Sequence, residues 1–377
     1  MDVFTLDKVF YRGGPIVKGI ESILWVERYR DAGEFTITGE PSDSLREQLP
    51  VGSIISHTDT LDMMMVETQE IDESQDGTPK LVITGRSVEA IAMENRVVTL
   101  DYYNGWEDNT LTDPQDLNYY MGDGYETWHQ IVALIKDYLF ASIVDPDDNL
   151  PNFAVYAGDF VSLGPGTFRM IKRDYLYSSV LAMMNELDLG IKVLRPYAER
   201  TTMDWQVHRG VDLTQYVQFL WENEDIQQAH YYWTNKNSKN IAYVIANYYG
   251  YVIANRNRTG WDRRYSFVNA NEYKVLYEGL PYPDVPPEID GTLIFEVKHA
   301  LQHLGLEELG KRTEQSILDA TITKNSKLVY RRDYNIGDIV YVIGKYGVSA
   351  PMRVTEYAES MDENGESGFP TLSALTI

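Results

Sequence analysis

Short strand signals at even spacing dominate the first hundred residues, and they constrain the fold more than any other feature of the chain. Ser22-Ile23-Leu24-Trp25-Val26-Glu27-Arg28-Tyr29 is rich in β-branched and aromatic side chains. Asp31-Ala32-Gly33 is a turn signal, and Glu34-Phe35-Thr36-Ile37-Thr38 alternates polar and apolar residues. Together they predict a hairpin. Pro50-Val51-Gly52 opens a further strand over residues 53–57, and the runs 63–68 and 80–84 flank the polar tip 72–79 as a second hairpin. Strands and turns in this cadence predict a small barrel or sandwich. Gly85-Arg86-Ser87-Val88 leads into a short helix, with Ser87 as its cap.

The pattern changes near residue 101. Residues 102–124 are polar and aperiodic, which predicts a loop. Trp128, Ile131, Val132, Ile135 and Leu139 recur at helical spacing, giving a helix over 125–141. A second helix covers 178–187 through Val180, Leu181, Met184 and Leu187, and strand 191–194 follows. Strands resume at 203–208, 217–221, 228–234 and 241–246, and residues 281–287 hold four prolines and form a stiff linker. Asp290 caps a helical region that reaches 318 and is interrupted near Gly305, and the tail is β again at 327–330, 339–342 and 352–357. The organisation is therefore mainly β with α+β insertions. Residues 1–100 form a β-barrel-like domain, 101–200 an α+β insert, 201–285 a second β-rich segment and 286–320 a helical segment. Residues 321–377 are a β segment completing the second domain.

Composition excludes whole classes of chemistry. The chain has no cysteine among its 377 residues. That removes disulfides, thiolate zinc sites, iron–sulfur clusters and cysteine nucleophiles. Its 57 acidic residues against 33 basic ones leave a net charge of −24, which argues against gripping nucleic acid or anionic lipid over the whole surface. Met1-Asp2-Val3-Phe4 lacks the basic start of a secretory signal, and residues 131–144, with Lys136 and Asp137 at their centre, are too short to span a bilayer. No membrane insertion and synthesis in a reducing cytoplasm are expected.

Candidate sites are few. His299 and His303 lie one helical turn apart with Glu296 one turn before, a spacing able to chelate zinc. Ala300 stands where the metalloprotease pattern needs glutamate, so a solvated helix face accounts for them better. Asp145-Pro146-Asp147-Asp148-Asn149 opens like a calcium loop, but Leu150 replaces its glycine and Tyr156 its closing acid, which leaves a turn. Gly164-Pro165-Gly166 lacks the Lys-Ser/Thr of a phosphate loop. No Gly-x-Ser-x-Gly elbow occurs, and 57 acids supply many accidental carboxylate pairs. No catalytic, cofactor-binding or metal residue is assigned. The aromatic clusters Tyr102-Tyr103, Tyr119-Tyr120, Tyr231-Tyr232-Trp233 and Tyr248-Tyr249 with Tyr251 suit either strand packing or an interface.

Four segments together resemble the tail-hub (minor tail) proteins of siphophages infecting actinobacteria and related hosts. They are Glu27-Arg28-Tyr29 with Ala32-Gly33-Glu34-Phe35, then residues 81–91 around Gly85-Arg86-Ser87. The third is Lys239-Asn240-Ile241-Ala242-Tyr243-Val244 with Asp262-Arg263-Arg264. The fourth is residues 332–340 with Arg353-Val354-Thr355-Glu356. The resemblance runs over nearly the whole chain and is weakest at 101–170. It implies a fold similar to contractile-tail baseplate hubs and the base of type VI secretion spikes, with two β-barrel-like domains per chain in a trimer. Six barrels then form a pseudo-six-fold ring that joins the tail tube to three-fold fibres or spikes.

The expectations that follow are structural: no enzyme activity, no cofactor, and a place at the virion tail tip after assembly in the host cytoplasm. The implied partners are the distal tail protein, the end of the tape-measure protein, and fibre or spike proteins. DNA would pass through the channel without specific binding, repelled by an acidic lumen. The other reading is a tail-tip protein that degrades or binds cell-wall glycan. The degrading form is disfavoured because the sequence ends soon after the last motif, where a hydrolase domain would follow.

Overall fold

The computed structural model describes residues 1–7, 12–16, 19–73, 79–98, 119–121, 127–141, 147, 149–150, 153–157, 169–171, 174–195, 203–246, 249–254, 259–270, 301–302, 304–306, 308–312, 315–323, 326–345 and 348–375. These form two compact units. The first comprises Met1–Ala229 with Asp319–Ser373, and the second His230–Leu318 with Ala374–Ile377.

The first unit is built on one large sheet. Its strands are β1 (Val3–Leu6), β2 (Arg12–Pro15), β3 (Ile20–Arg28), β4 (Glu34–Gly39), β5 (Ile54–His57), β6 (Met64–Glu73) and β7 (Pro79–Ser87). Helix α1 (Asp43–Gln48) follows β4, with the Ser42 hydroxyl accepting from the Leu45 amide at 3.3 Å, and α2 (Val88–Glu94) follows β7. Both predicted hairpins are present: Trp25 lies opposite Phe35 across β3–β4, and Asp72 opposite Lys80 across β6–β7. Alternation puts Ile23, Trp25, Phe35, Ile37, Leu81 and Ile83 on one buried face.

Smaller elements complete this unit: β8 (Val97–Val98), β9 (Tyr119–Met121), α3 (Thr127–Leu139), β10 (Phe153–Ala157), β11 (Arg169–Ile171), β12 (Asp174–Tyr175), α4 (Leu176–Leu187), β13 (Gly190–Leu194), β14 (Met203–His208) and β15 (Gln218–Leu220). Helices α3 and α4 lie where the apolar periodicity predicts them. Ile131, Leu134, Ile135 and Leu139 of α3 and Val180 and Met184 of α4 join Trp205 and Val207 in a second core. Strand β14 sits between β10, which is parallel to it, and β13, which is antiparallel.

The second unit holds β17 (Ile241–Ala246), β18 (Tyr249–Ala254) and β19 (Tyr265–Asn269), with β17 central, antiparallel to β18 and parallel to β19. The chain enters this unit within β16 (Ile226–Thr234) and leaves it within β20 (Gln315–Ile322). The last strands are β21 (Ile339–Ile343), β22 (Ser349–Asp362) and β23 (Gly365–Ala374).

Strand β22 joins the two ends of the sequence. It pairs antiparallel with β3, from Glu356 opposite Arg28 to Met361 opposite Ile23. The sheet therefore runs β23-β22-β3-β4-β7-β6-β5-β1-β2, and no pairing among the described residues closes it into a barrel.

Four local readings are corrected. Helical residues run only to 310, and residues 315–322, read as the end of the helical segment 286–320, form β20. The β-branched Ile317, Thr321 and Ile322 favour the extended form. Gly305 does not interrupt its helical run. Residues 327–330 make a turn rather than a strand, in which the Val329 amide donates to the Asp333 carboxylate at 2.8 Å and the Asp333 amide returns to the Val329 carbonyl. The linker at 281–287 and Asp290 lie outside the described residues, and of the loop read at 102–124 only residues 119–121 are described, where they form strand β9 paired antiparallel with β11 rather than loop.

Candidate functional site

Three of the four segments that carry the family resemblance meet at β3 and its neighbours in the first unit, and the third, residues 239–244 with 262–264, belongs to the second unit. Glu27, with only 6% of its surface exposed, is the centre of a buried polar network. It accepts from the Thr60 hydroxyl at 2.7 Å, the Tyr330 hydroxyl at 2.7 Å and the Arg331 guanidinium at 2.6 Å. The other arm of Arg331 reaches Glu359 on β22 at 2.7 Å. Arg331 holds this bridge from a left-handed backbone (φ 64°), a conformation rare for non-glycine residues. His57, fully buried, lies 3.5 Å from Glu359 and edge-on to Trp25.

Charge states follow from this packing. Burial pushes Glu27 up, but Arg331 and the hydroxyl donors outweigh it and leave the group below its ordinary value. Asp62 shares the Thr60 hydroxyl, at 3.0 Å. Burial, then the neighbouring Glu27 charge, push Asp62 well above the carboxylate range. A hydroxyl has one proton, so Thr60 donates to only one of the two acids, and a protonated Asp62 accounts for the second contact. Burial raises Glu359 to about 7 and Glu89 to about 7, and lowers His57 to about 4. Glu27, Asp62, Glu89, Lys192 and His208 line a cavity of about 230 Å³ beside Arg331.

A second junction lies two residues along. Tyr29 is 2% exposed, and its hydroxyl donates to the Asp188 carbonyl at 3.1 Å. Asp188 ends α4 in a left-handed conformation, and its carboxylate is held by Arg30 and Arg353. Both guanidinium groups also sit 5.0 Å from the Tyr29 ring. Gly337, at φ +90°, approaches that ring so closely that an added Cβ would stand 2.5 Å from its Cε2. Asp338 then accepts from the amides of Val211 and Asn335, both at 2.8 Å, and starts β21. Ser87 occupies the start of α2, but instead of capping it the hydroxyl accepts from the Gly33 amide at 3.2 Å. The Glu-Arg-Tyr, Ala-Gly-Glu-Phe, Gly-Arg-Ser and Tyr-Asn-Ile-Gly-Asp runs thus form one structural joint.

One prediction follows from Glu89. Its carboxyl ionises near 4.5 when unfolded and near 7 when folded, so the folded state favours the protonated form. Its contribution to stability is complete below pH 4.5 and is lost as the pH rises to 7. Glu89→Gln is therefore expected to raise the Tm at pH 8 by several degrees and to change it little at pH 4.5. Thermal melts at the two pH values check this, and equal shifts at both would contradict it.

The metal and phosphate candidates fall largely outside the described residues. His299, His303, Glu296, Asp145, Asp148 and Gly164–Gly166 lie outside the described residues, whereas Asp147 and Asn149 are within them. Among the described residues, no three His, Asp or Glu side chains are placed to hold a metal ion, and no helix is long and apolar enough to cross a membrane. Of the aromatic clusters, Tyr102, Tyr103 and Tyr248 lie outside the description, Tyr119–Tyr120 fall in β9, and Tyr232 is exposed. The sequence reading assigned strand 241–246 but no facing for its side chains, so the outward Tyr243 and Phe267 are seen only in the structure.

The open sheet, with its two chain ends joined along β3–β22, matches solved structures over almost its entire length. A tail protein from Neisseria meningitidis MC58 superposes with a TM-score of 0.55 at 13% identity, covering 99% of this chain and 96% of that one. The prophage MuSo2 43 kDa tail protein from Shewanella oneidensis gives 0.52 at 12% identity, with 98% and 96% covered. Prophage tail protein gp18 from Listeria monocytogenes EGD-e gives 0.53 at 8% identity, with 100% and 95% covered. Sequence comparison with curated proteins finds no significant match. The fold is that of phage tail proteins. More specifically, residues 4–371 match the model of the siphovirus ReqiPepy6 Gp37-like proteins, and the chain belongs to that siphovirus tail-protein family.

Proposed function

We propose that this protein is the tail hub of a long-tailed phage. Three copies form a ring at the tail tip, and two barrel-like domains per copy give it pseudo-six-fold symmetry. The ring joins the tail tube and distal tail ring to three-fold fibre or spike proteins, and the end of the tape-measure protein reaches it. The chain is made and assembled in the host cytoplasm. The observation that supports this most is the extent of the match: the family model takes in residues 4–371, and the fold covers 95–96% of each tail protein. In this reading the buried network has a mechanical purpose. Glu27, Arg331 and Glu359 tie the early and late strands of the first unit together, so that this unit carries load along the tail.

The acidic surplus fits a ring around a DNA path. Its 23 Lys and Arg against 47 Asp and Glu give the first unit the whole net charge of −24, while the second unit carries ten of each sign. An acidic wall repels phosphate, and DNA slides past it without adhering.

The reading is non-enzymatic. Light scattering of the purified protein is expected to give three times 43.3 kDa. A cell-wall zymogram is expected to show no clearing. Clearing that disappears when a single carboxylate is changed would favour the glycan-degrading alternative and overturn the non-enzymatic reading.

A further inference from the structure

The sheet of the second unit is packed inside out. Ala242 and Val244 of β17, with Ile253 and Val268, face Leu301, Leu304 and Leu309 and form a small core. The larger side chains point the other way. Val252, Tyr243 and Phe267 stand in one cross-strand row, and they are 49%, 40% and 65% exposed. Ile245 and Tyr265 extend the row at 39% and 47%, with the Tyr243 and Tyr265 rings stacked 5.7 Å apart. Trp261, in the turn leading into β19, is fully exposed. A sheet that buries alanine and exposes phenylalanine and tyrosine leaves its main hydrophobic stabilisation unused. At 150–250 Å² per aromatic side chain, the exposed area is on the order of 500 Å². That lies in the upper part of the roughly 300–600 Å² of the largest patch on a typical monomer, a size that often marks a functional surface, and it supplies most of the roughly 800 Å² each partner contributes to a stable interface.

Charge identifies the occupant. The end of this sheet where the parallel strands β17 and β19 begin is basic: Lys236, Lys239, Arg263 and Arg264 stand there against Asp262. Two such faces meeting with these ends together would oppose like charges. The first unit, which carries the whole net charge of −24, is the complementary surface. We propose that the outer face of β17–β19 docks on the acidic first unit of a second copy of this chain, head to tail. A head-to-tail contact closes into a ring when its rotation permits, which a face-to-face dimer does not. This inference rests on the trimeric reading and assigns the surface that makes the ring.

Mass photometry of the full chain, with the variants Phe267→Glu and Leu306→Glu, tests it. Leu306 is 52% exposed and belongs to the helical run, away from the sheet. The wild type is expected to assemble as three copies. Phe267→Glu is expected to raise the midpoint concentration for assembly at least tenfold with its melting temperature unchanged, and Leu306→Glu is expected to behave as wild type. Raising the salt from 0.05 to 0.5 M should also weaken assembly of the wild type. If Phe267→Glu assembles normally, the face is wrongly assigned although the trimer stands. The same holds if Phe267→Glu loses only a different tail protein. Equal loss in Leu306→Glu overturns the assignment too, and a two-copy wild type overturns the head-to-tail arrangement. A wild type that stays monomeric overturns the trimeric reading itself.

Discussion

Replacing Arg331 with methionine is expected to destabilise the protein by about 3–5 kcal/mol at pH 8, the usual cost of removing one partner from a buried ion pair. The guanidinium lies between Glu27 at 2.6 Å and Glu359 at 2.7 Å, with side-chain exposures of only 6% and 12% for the two acids. Without it, both acids must either stay ionised in a poorly solvated site or take up protons. The pH dependence has a definite sign. In the wild type Glu27 ionises below its ordinary value of 4.5, so its contribution is complete above that value and is lost as the pH falls through the folded value. In the variant both acids are pushed up. The gap between variant and wild type is therefore widest at pH 7–8 and narrows as the pH falls, first as the variant's acids take up protons and then, below pH 4.5, as the pH passes the folded value of wild-type Glu27. Denaturant melts at pH 8 and pH 4.5 measure it. A loss below about 1 kcal/mol at pH 8 would mean that the network is solvated like a surface pair.

A comparable loss is expected where Tyr29 meets Gly337. Gly337→Ala combines two costs: a left-handed backbone, about 1–2 kcal/mol for an L-residue, and a Cβ placed 2.5 Å from Cε2 and 2.8 Å from Cδ2 of Tyr29. Together they predict a loss of about 3 kcal/mol or more. Tyr29→Ala alone is expected to cost about 3–5 kcal/mol as a buried aromatic truncation. In that background the clash is gone, and Gly337→Ala should cost only its backbone strain. The two substitutions are therefore expected to couple by more than about 1 kcal/mol in a double-mutant cycle. Simple additivity would show that the ring does not limit the approach of the turn.

What could be read from the sequence was local. The β3–β4 hairpin declared itself through alternation in 34–38 and the Asp31-Ala32-Gly33 turn, and α3 and α4 through apolar residues every three or four positions. Strand β22 is longer than its sequence suggested, because Glu356 and Glu359 spend their charge on Arg28 and Arg331. Polar residues paired in this way inside a sheet look like loop residues to any periodicity test. Strand β23 was missed because Gly365, Gly368 and Pro370 all read as breakers. The joint at Glu27 and Tyr29 was visible only as short motifs. Its partners stand 304 residues away at Arg331 and 159 away at Asp188, beyond the reach of spacing arguments. The motifs at 27–35, 85–87 and 332–340 marked residues of one buried joint in the first unit, whereas the motif at 239–244 lies in the separate sheet of the second unit.

The acidic surplus also changes meaning once it is localised. Spread over the sequence it excluded a general nucleic-acid binder. Confined to the first unit, it would give the second unit an electrostatic partner in the proposed ring, and a DNA path through that ring a wall that does not hold phosphate.

The most direct test of the central claim is an electron-microscopy map of the intact phage particle in which this chain is traced. The account predicts three copies in a ring at the tip of the tail, around the DNA path, with the outer face of β17–β19 covered by the neighbouring copy. A copy number other than three at that ring, or the chain located in the capsid or along the tube, would contradict it.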